Sequence, residues 1–447
     1  MASREKFSSK TGFVMAAAGS AVGLGNIWGF PTQTANNGGA AFVLTYLVLA
    51  FCLAYPALMA ELIIGRHARA NMVTALRGLA SGPVTYRLGS LVGYYGVIVA
   101  GLILSFYAII AGWMLAYLLE SVTMMFGWAE AGIWLTEFGF ERNLIAMTVF
   151  IVLTMAINVK GVTAGIEKWS TRLMPLLLVL MLALIIYVLM QDGATEGLKL
   201  YLLPDIAQVN PSLIVSAMGQ AFFSMSLGVG TMLVYGSYLG EKDSLPKLGA
   251  TVTLVDAGIA FMAGLLIIPA IYVAGKYGAD IFTEAGDLIA GPDLIFQVLP
   301  VLFDSMGSVG LWAAFAFFLL MSIASLTSSI SMLEVPVSLV AEKTTASRTQ
   351  ATLIIGLAIF SVATLILVNF DRLFGLVIDL TTVYSQPLLG MMICLFVGWI
   401  WHRNQLLQAI QKGHADIEKT WFWKIWPAYV KFFCPVLILT AFIQSLG

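Results

Sequence analysis

Charge is what this sequence has least of. Its 23 Lys and Arg and 24 Asp and Glu amount to 11% of 447 residues, where soluble domains carry about a quarter. The two signs nearly cancel, so no basic surplus exists to hold nucleic acid. Cysteine is almost absent too: Cys52, Cys394 and Cys434 lie in or beside apolar stretches at no metal-ligand spacing, which argues against a disulfide or zinc framework. Histidine is equally scarce. His67, His402 and His414 all fall in polar connections, so no buried His-based catalytic triad is available, and an enzyme is not expected. What abounds is apolar surface, with 60% hydrophobic residues and a mean hydropathy of +0.92. That excess cannot hide in one soluble core, whereas about 20 apolar residues suffice for a membrane-spanning helix.

Apolar stretches fall at roughly 12–35, 40–64, 88–120, 143–160, 170–190, 212–240, 248–275, 308–340, 350–369, 373–401 and 425–446. None shows the two-residue alternation of a membrane barrel. The expected fold is an all-α polytopic membrane protein with eleven transmembrane helices in a single domain over 1–447, the third, eighth and tenth long enough to tilt or protrude into water. Met1–Lys10 is polar and does not read as a cleavable signal. Placing the N-terminus inside puts eighteen basic residues on the inner face, from Arg4, Lys6 and Lys10 through Arg66, Arg69, Arg77 and Arg87 to Arg403, Lys412, Lys419 and Lys424. Outer loops hold acids instead: Glu130, Glu137, Asp280, Glu284, Asp287 and Asp293. Positive charge marks the cytoplasmic side, so the N-terminus is expected in the cytoplasm and the C-terminus outside.

Two spans should not be continuous helices. The first carries Gly19-Ser20-Ala21-Val22-Gly23-Leu24-Gly25-Asn26, and each Gly weakens a helix by roughly 1 kcal/mol relative to Ala. Its GxxxG spacings also suit a helix-packing face, while the GxGxxG order of a dinucleotide loop is absent. The sixth carries Phe222-Phe223-Ser224-Met225-Ser226-Leu227-Gly228-Val229-Gly230. Two Gly-broken spans in matching positions of two halves point to a transporter site between inverted repeats. Backbone groups freed at mid-membrane find no partner in lipid, but cations can take the carbonyls and a carboxylate can take the amides. In the eighth span the adjacent hydroxyls of Thr327 and Ser328, with the Ala324 carbonyl one turn earlier, offer hard oxygen ligands; bonding back to their own helix is the alternative. Glu61, Asp256, Glu334 and Asp379 are the ionisable residues within spans, and each is a functional candidate because charge at mid-bilayer is costly. For Glu61, capping of freed amides is the favoured role.

The runs Gly19–Asn26, Gln220–Gly228 and Leu326–Ser329 together resemble the neurotransmitter:sodium symporter family over essentially the whole chain. Eleven spans rather than the usual twelve make it most similar to bacterial members that carry several hydrophobic amino acids. The resemblance implies a leucine-transporter fold: a 5+5 inverted repeat (helices 1–5 over 12–190, helices 6–10 over 212–402), discontinuous helices 1 and 6, and an additional eleventh helix at 425–446. It implies two Na+ ions. One would meet the Ala21 carbonyl, Asn26, Ser224 and the substrate carboxylate, and the other the carbonyls of Gly19, Val22 and Ala324 with the hydroxyls of Thr327 and Ser328. The substrate carboxylate would face amides near Leu24 and Gly25 and the Tyr107 hydroxyl. Its amine would face carbonyls around Ala21, Phe223 and Ser226. Ser20, Ile103, Phe223, Val229, Ser328 and Met332 would line the side-chain pocket, with Phe223 as lid.

Departures from the family sharpen these expectations. Gly29 stands where an outer-gate Arg is common, which leaves the partner acid Asp379 in question. Counting on from Ser224 puts Asp256 where a relative carries a sodium-ligating Asn. Asp256 is therefore expected to ligate the first sodium and to supply the charge that chloride gives animal members, so chloride should not be required. Arg4 and Glu342 occupy inner-gate positions. Small Val229 and deformable Met332 suggest a broad set of hydrophobic L-amino acids, among them Leu, Phe, Tyr and Trp. The fifth helix holds Gly165 and Pro175, where a missing backbone bond favours local unwinding. The expected location is the bacterial plasma membrane. A proton-coupled or exchange-driven amino-acid transporter of the same fold, using Asp256 or Glu61, is the nearest alternative. An ion channel would show polar stripes along several helices, whereas polarity here gathers at three mid-membrane points.

Overall fold

A computed structural model describes residues 5–283, 288–289 and 294–444; Arg4, Glu284, Asp287 and Asp293 lie outside these. The chain is helical almost throughout, and the described residues hold no β structure beyond an isolated bridge between Phe282 and Leu288. The elements that place the site are α1 (Lys10–Ala21), α2 (Gly25–Asn36), α3 (Ala40–Ala68), α4 (Pro83–Met125), α5 (Phe140–Asn158), α6 (Val162–Leu189), α7 (Pro211–Ser224), α8 (Thr231–Gly236), α9 (Leu245–Lys276), α10 (Ser308–Lys343), α11 (Arg348–Val368), α12 (Phe370–Ile400) and α13 (Trp421–Gln444).

Nine helices among the described residues are long and apolar enough to cross a membrane, or ten when α1 and α2, bent by 53°, count as one span. The expected span outside this count is the sixth, α7 plus α8. These have 14 and 6 residues and are separated by Met225–Gly230, so neither half alone reaches the length a span needs. The long third, eighth and tenth spans are borne out: α4 has 43 residues, α10 has 36 and α12 has 31. At 1.5 Å per residue α4 is about 64 Å long, twice a bilayer core.

Burial is inverted relative to a soluble protein. Leu91, Ile98, Val152, Ile186, Leu357 and Val436 are exposed, while Asn26, Glu61, Asp256 and Glu334 are fully buried. Exposed leucines and valines suit a hydrocarbon solvent, and the polar groups turn to the interior where they can find one another.

Local chemistry explains where the helices stop. The Ser9 hydroxyl accepts the Gly12 amide at 2.9 Å and starts α1. The chain leaves the helix at Val22, whose backbone is extended. Asn210 caps α7 by accepting the Leu213 amide at 2.9 Å, and Pro211 takes the first helical position, where its missing N–H costs nothing. Beyond Ser224 the chain visits positive φ at Ser226 (51°), Gly228 (88°) and Gly230 (81°). At Gly228 only glycine fits: an added Cβ would lie 2.3 Å from the Gln386 carbonyl oxygen. The unwinding expected between Gly165 and Pro175 is not present here. Residues 162–167 form a π-helical turn that runs directly into the rest of α6, with Pro175 inside it.

Candidate functional site

The two breaks touch. Ser226 Oγ donates to the Ser20 carbonyl at 3.0 Å, and Gln220 Nε2 donates to the Gly25 carbonyl at 2.7 Å. Between them lies a cavity of about 30 Å³ lined by Ala21, Gly23, Leu24, Gly25, Ile103, Tyr107, Phe223, Ser226, Val229, Ser328, Met332 and Gln386. Above it opens a vestibule of about 850 Å³ between α2, α4, α7, α12 and the end of α13. Leu24, Tyr107 and Phe223 line both spaces, so these three side chains form the partition. The Tyr107 hydroxyl accepts the freed Leu24 amide at 3.2 Å.

One end of the first break is rich in oxygen. The last carbonyls of a helix have no amide of their own, and here Ser328 Oγ lies 3.1 Å from the Gly19 oxygen, 3.2 Å from that of Ser20 and 3.1 Å from that of Val22. A hydroxyl has one hydrogen, so it cannot satisfy three carbonyls at once. The surplus acceptors fit a small cation. The Thr327 hydroxyl is 3.1 Å from the carbonyls of both Ile323 and Ala324, bonding back to its own helix. Its β-carbon faces Gly19, where an added Cβ would come within 3.0 Å of it. Gly19, Val22, Ala324, Thr327 and Ser328 are thus brought together.

The second cluster centres on Asp256 in α9. Asn26 Nδ2 donates to Asp256 Oδ1 at 2.7 Å, and Ser224 Oγ lies 3.0 and 2.8 Å from the two carboxylate oxygens. The Tyr46 hydroxyl sits 3.1 Å from Ser224 Oγ and 3.4 Å from Asp256 Oδ2. All four residues are at most 1% exposed. Among the described residues no lysine, arginine or histidine pairs with Asp256. A buried carboxylate without a counter-charge is strongly unfavourable, and a bound cation would relieve that cost.

Glu61 follows its expected capping role. Its Oε1 accepts the Gly228 amide at 2.6 Å and its Oε2 accepts the Leu233 amide at 3.2 Å, so one buried side chain ties the later part of the second break to the first turn of α8. Glu334 belongs elsewhere. It accepts from Arg348 at 2.6 Å and from the Tyr238 hydroxyl at 2.5 Å, on the same side as the N-terminal segment, where Phe7 packs edge-on against Tyr235 and Tyr238.

Ten of the twelve residues expected around substrate line the small cavity; Ser20 and Ser224 do not. Ser20 Oγ instead donates to Ser331 Oγ at 2.7 Å, and Ser224 faces Asp256. Glu342 accepts the backbone and side-chain amides of Asn71 at 2.9 and 2.8 Å, and its expected partner Arg4 lies outside the described residues. Asp379 is exposed and forms no ion pair among the described residues. Sequence reasoning missed Gly23 and Gln386 in the cavity and Tyr46 beside Asp256. Gly23 sat within the broken motif; Tyr46 and Gln386 carried only the weak signal of a polar group inside an apolar span.

A sequence model of the sodium:neurotransmitter symporter family matches residues 4–143 and 135–447. The chain is 33% identical over 462 residues to an uncharacterized sodium-dependent transporter, YhdH, of Bacillus subtilis, covering 99% of this chain and 98% of that one. It is 28% identical to the human sodium- and chloride-dependent taurine transporter, over 71% of this chain and 57% of that protein. Among solved structures, that of MhsT in complex with L-phenylalanine superposes with a TM-score of 0.85 at 36% identity, over 99% of this chain and all of the other.

Proposed function

The chain belongs to the sodium:neurotransmitter symporter family, and from that premise we propose that it imports hydrophobic L-amino acids, aliphatic and aromatic, by alternating access. That it is a sodium-dependent membrane symporter follows from membership. The substrate class rests on one observation: an apolar cavity at the meeting of two broken helices, flanked on one side by surplus carbonyls and on the other by an uncompensated carboxylate. The lining of this space suits a zwitterion with an apolar side chain and a cation beside each cluster, and its roughly 30 Å³ must widen to admit one. L-Phenylalanine bound to the similar MhsT supports the same class.

In this reading one Na+ meets the Ala21 carbonyl, Asn26, Ser224, Asp256 and the substrate carboxylate. The other meets the carbonyls of Gly19, Val22 and Ala324 and the hydroxyls of Thr327 and Ser328. The substrate carboxylate takes the amides of Leu24 and Gly25 and the Tyr107 hydroxyl, its amine faces carbonyls near Ala21, Phe223 and Ser226, and Phe223 closes over it. Asp256 supplies the negative charge, so chloride is not required. The fold is read as eleven spans, with inverted repeats over 12–190 and 212–402 and an added helix at 425–446. The N-terminus is cytoplasmic and the C-terminus outside, in the plasma membrane, and Arg4 with Glu342 closes the inner side. No catalytic step is assigned. Two sodium ions moving down 100 mV contribute about 4.6 kcal/mol, enough for accumulation on the order of a thousandfold.

The test is uptake of labelled leucine into proteoliposomes under a sodium gradient, with Phe, Tyr and Trp as competitors. Sodium-dependent uptake displaced by all three, unchanged on replacing chloride by gluconate, is the expected result. Competition confined to small polar amino acids overturns the substrate class. Asp256→Ala is expected to abolish sodium-driven uptake; uptake that persists in this variant removes Asp256 from the sodium site.

A further inference from the structure

Gln386 lies in α12 where the second break presses against it. Its side chain is 2% exposed and lines the small cavity beside Ile103, Val229 and Met332. Its Nε2 donates to the Phe222 carbonyl at 3.4 Å. That contact fixes the orientation of the amide, because a carbonyl can receive only the nitrogen end. The other end, Oε1, is buried and has no hydrogen-bond partner. A buried acceptor without a partner, on a residue that lines the cavity, is unfavourable unless the occupant brings a donor.

The backbone groups of an amino acid are engaged elsewhere. Its carboxylate lies by Leu24, Gly25 and Tyr107 and its amine by the helix-end carbonyls. Only the side chain points toward the wall formed by Ile103, Val229, Met332 and Gln386. We propose that Gln386 is a specificity-determining residue whose Oε1 accepts a hydrogen bond from a donor at the far end of an aromatic substrate side chain, the indole N–H of tryptophan. Aliphatic side chains and the phenyl ring bring no donor and leave the oxygen unpaired. Met332 is unbranched and deformable, so that side of the wall can yield to an indole. The inference rests on the hydrophobic amino-acid reading above, and deepens it from a class of substrates to a ranking within that class.

The experiment compares tryptophan with benzothienylalanine, which has the same shape but sulfur in place of the N–H, as inhibitors of sodium-driven leucine uptake in proteoliposomes. In the wild type the sulfur analogue is expected to require roughly 3- to 10-fold more for half inhibition, the span that the net strength of a neutral hydrogen bond converts to. In Gln386→Met the ratio, read against whatever sodium-driven leucine uptake the variant retains, is expected to fall to about one. Equal inhibition by the two compounds in the wild type overturns the role of Gln386, as does a ratio unchanged in Gln386→Met. Should the variant lack leucine uptake because Phe222 loses its partner, the wild-type ratio alone decides. Absence of sodium-dependent uptake of any hydrophobic amino acid in the wild type overturns the functional reading itself, a different outcome from equal inhibition.

Discussion

The first span is interrupted over Val22–Leu24 and the sixth over Met225–Gly230, and the two gaps are mended in opposite ways. At the first, the freed carbonyls of Gly19 and Val22 share one neutral hydroxyl, Ser328, with that of Ser20, which also accepts from Ser226, and the freed Leu24 amide meets another hydroxyl, Tyr107. Its glycine Gly23 faces the ends of those two side chains, with an added Cβ 2.5 Å from Ser328 Oγ and 2.7 Å from the Tyr107 oxygen. At the second, one carboxylate, Glu61, holds an amide inside the gap and another in the first turn of the helix that follows, and Gly228 is pressed against backbone, the Gln386 carbonyl and the Gly390 amide. The first break is thus under-satisfied and bordered by groups that can move, which suits a site that gains and releases ions. The second is closed by its own buried charge and braced on a neighbouring helix, which suits a fixed wall.

Substitutions at the two breaks should separate these roles. The largest effect is expected for Gly228→Ala, which combines a positive φ with a backbone clash. Strain and overpacking each cost about 1–3 kcal/mol, so stability should fall by roughly 3 kcal/mol or more, read as a lowered unfolding temperature in detergent. Gly23→Ala should lose leucine uptake yet cost far less stability, since side-chain ends can give way. Equal destabilisation by the two would erase the distinction between the breaks.

Next in size is Glu61→Gln. It keeps one acceptor and replaces the other with a donor facing an amide, at a cost of about 1–3 kcal/mol. The sodium concentration for half-maximal uptake should stay within about twofold, because the role of Glu61 is structural. A large shift in sodium dependence without loss of stability would move Glu61 from the wall to the ion site.

Ser328→Ala acts on the first break. Removing one shared hydroxyl should change stability by no more than about 1 kcal/mol but raise the sodium requirement on the order of tenfold, about 1.4 kcal/mol. Flux measured against sodium concentration at fixed leucine checks this, and an unaltered curve would mean the surplus carbonyls hold no ion. The smallest effect is expected for Tyr107→Phe, which leaves the Leu24 amide without its acceptor. The net worth of such a bond, about 0.5–1.5 kcal/mol, predicts a few-fold weaker leucine competition with sodium dependence retained. A loss above a hundredfold would give Tyr107 a larger part than holding one amide and one carboxylate.

Much of this site was legible beforehand because its signals are local. Clustered glycines within apolar runs mark both breaks, since helix propensity acts residue by residue. Thr327 and Ser328 stand out as adjacent hydroxyls, and Asp256 as a carboxylate no lipid-facing helix would carry. Other features had no local signal. Ser20 lies inside the broken motif, yet its hydroxyl turns to Ser331, 311 residues away. Tyr46 is one more aromatic in an apolar helix until α3 carries it to Ser224 and Asp256. The count of spans also changed at a break: the six residues of Met225–Gly230 leave two halves too short to be counted as one continuous helix.

By itself the sequence determined that this chain lives in lipid, that its interior is nearly free of charge, and where its two helices fail, because hydropathy and backbone propensity are summed along the chain. Only the tertiary structure decided which freed groups find partners. It tied Glu61 to the later part of the second break, left Ser328 shared among three carbonyls, brought Tyr46 to Asp256 and left the Gln386 side-chain oxygen buried without a partner. Those outcomes depend on which helix faces meet, and directional hydrogen bonds between residues far apart in sequence leave no periodic trace along it.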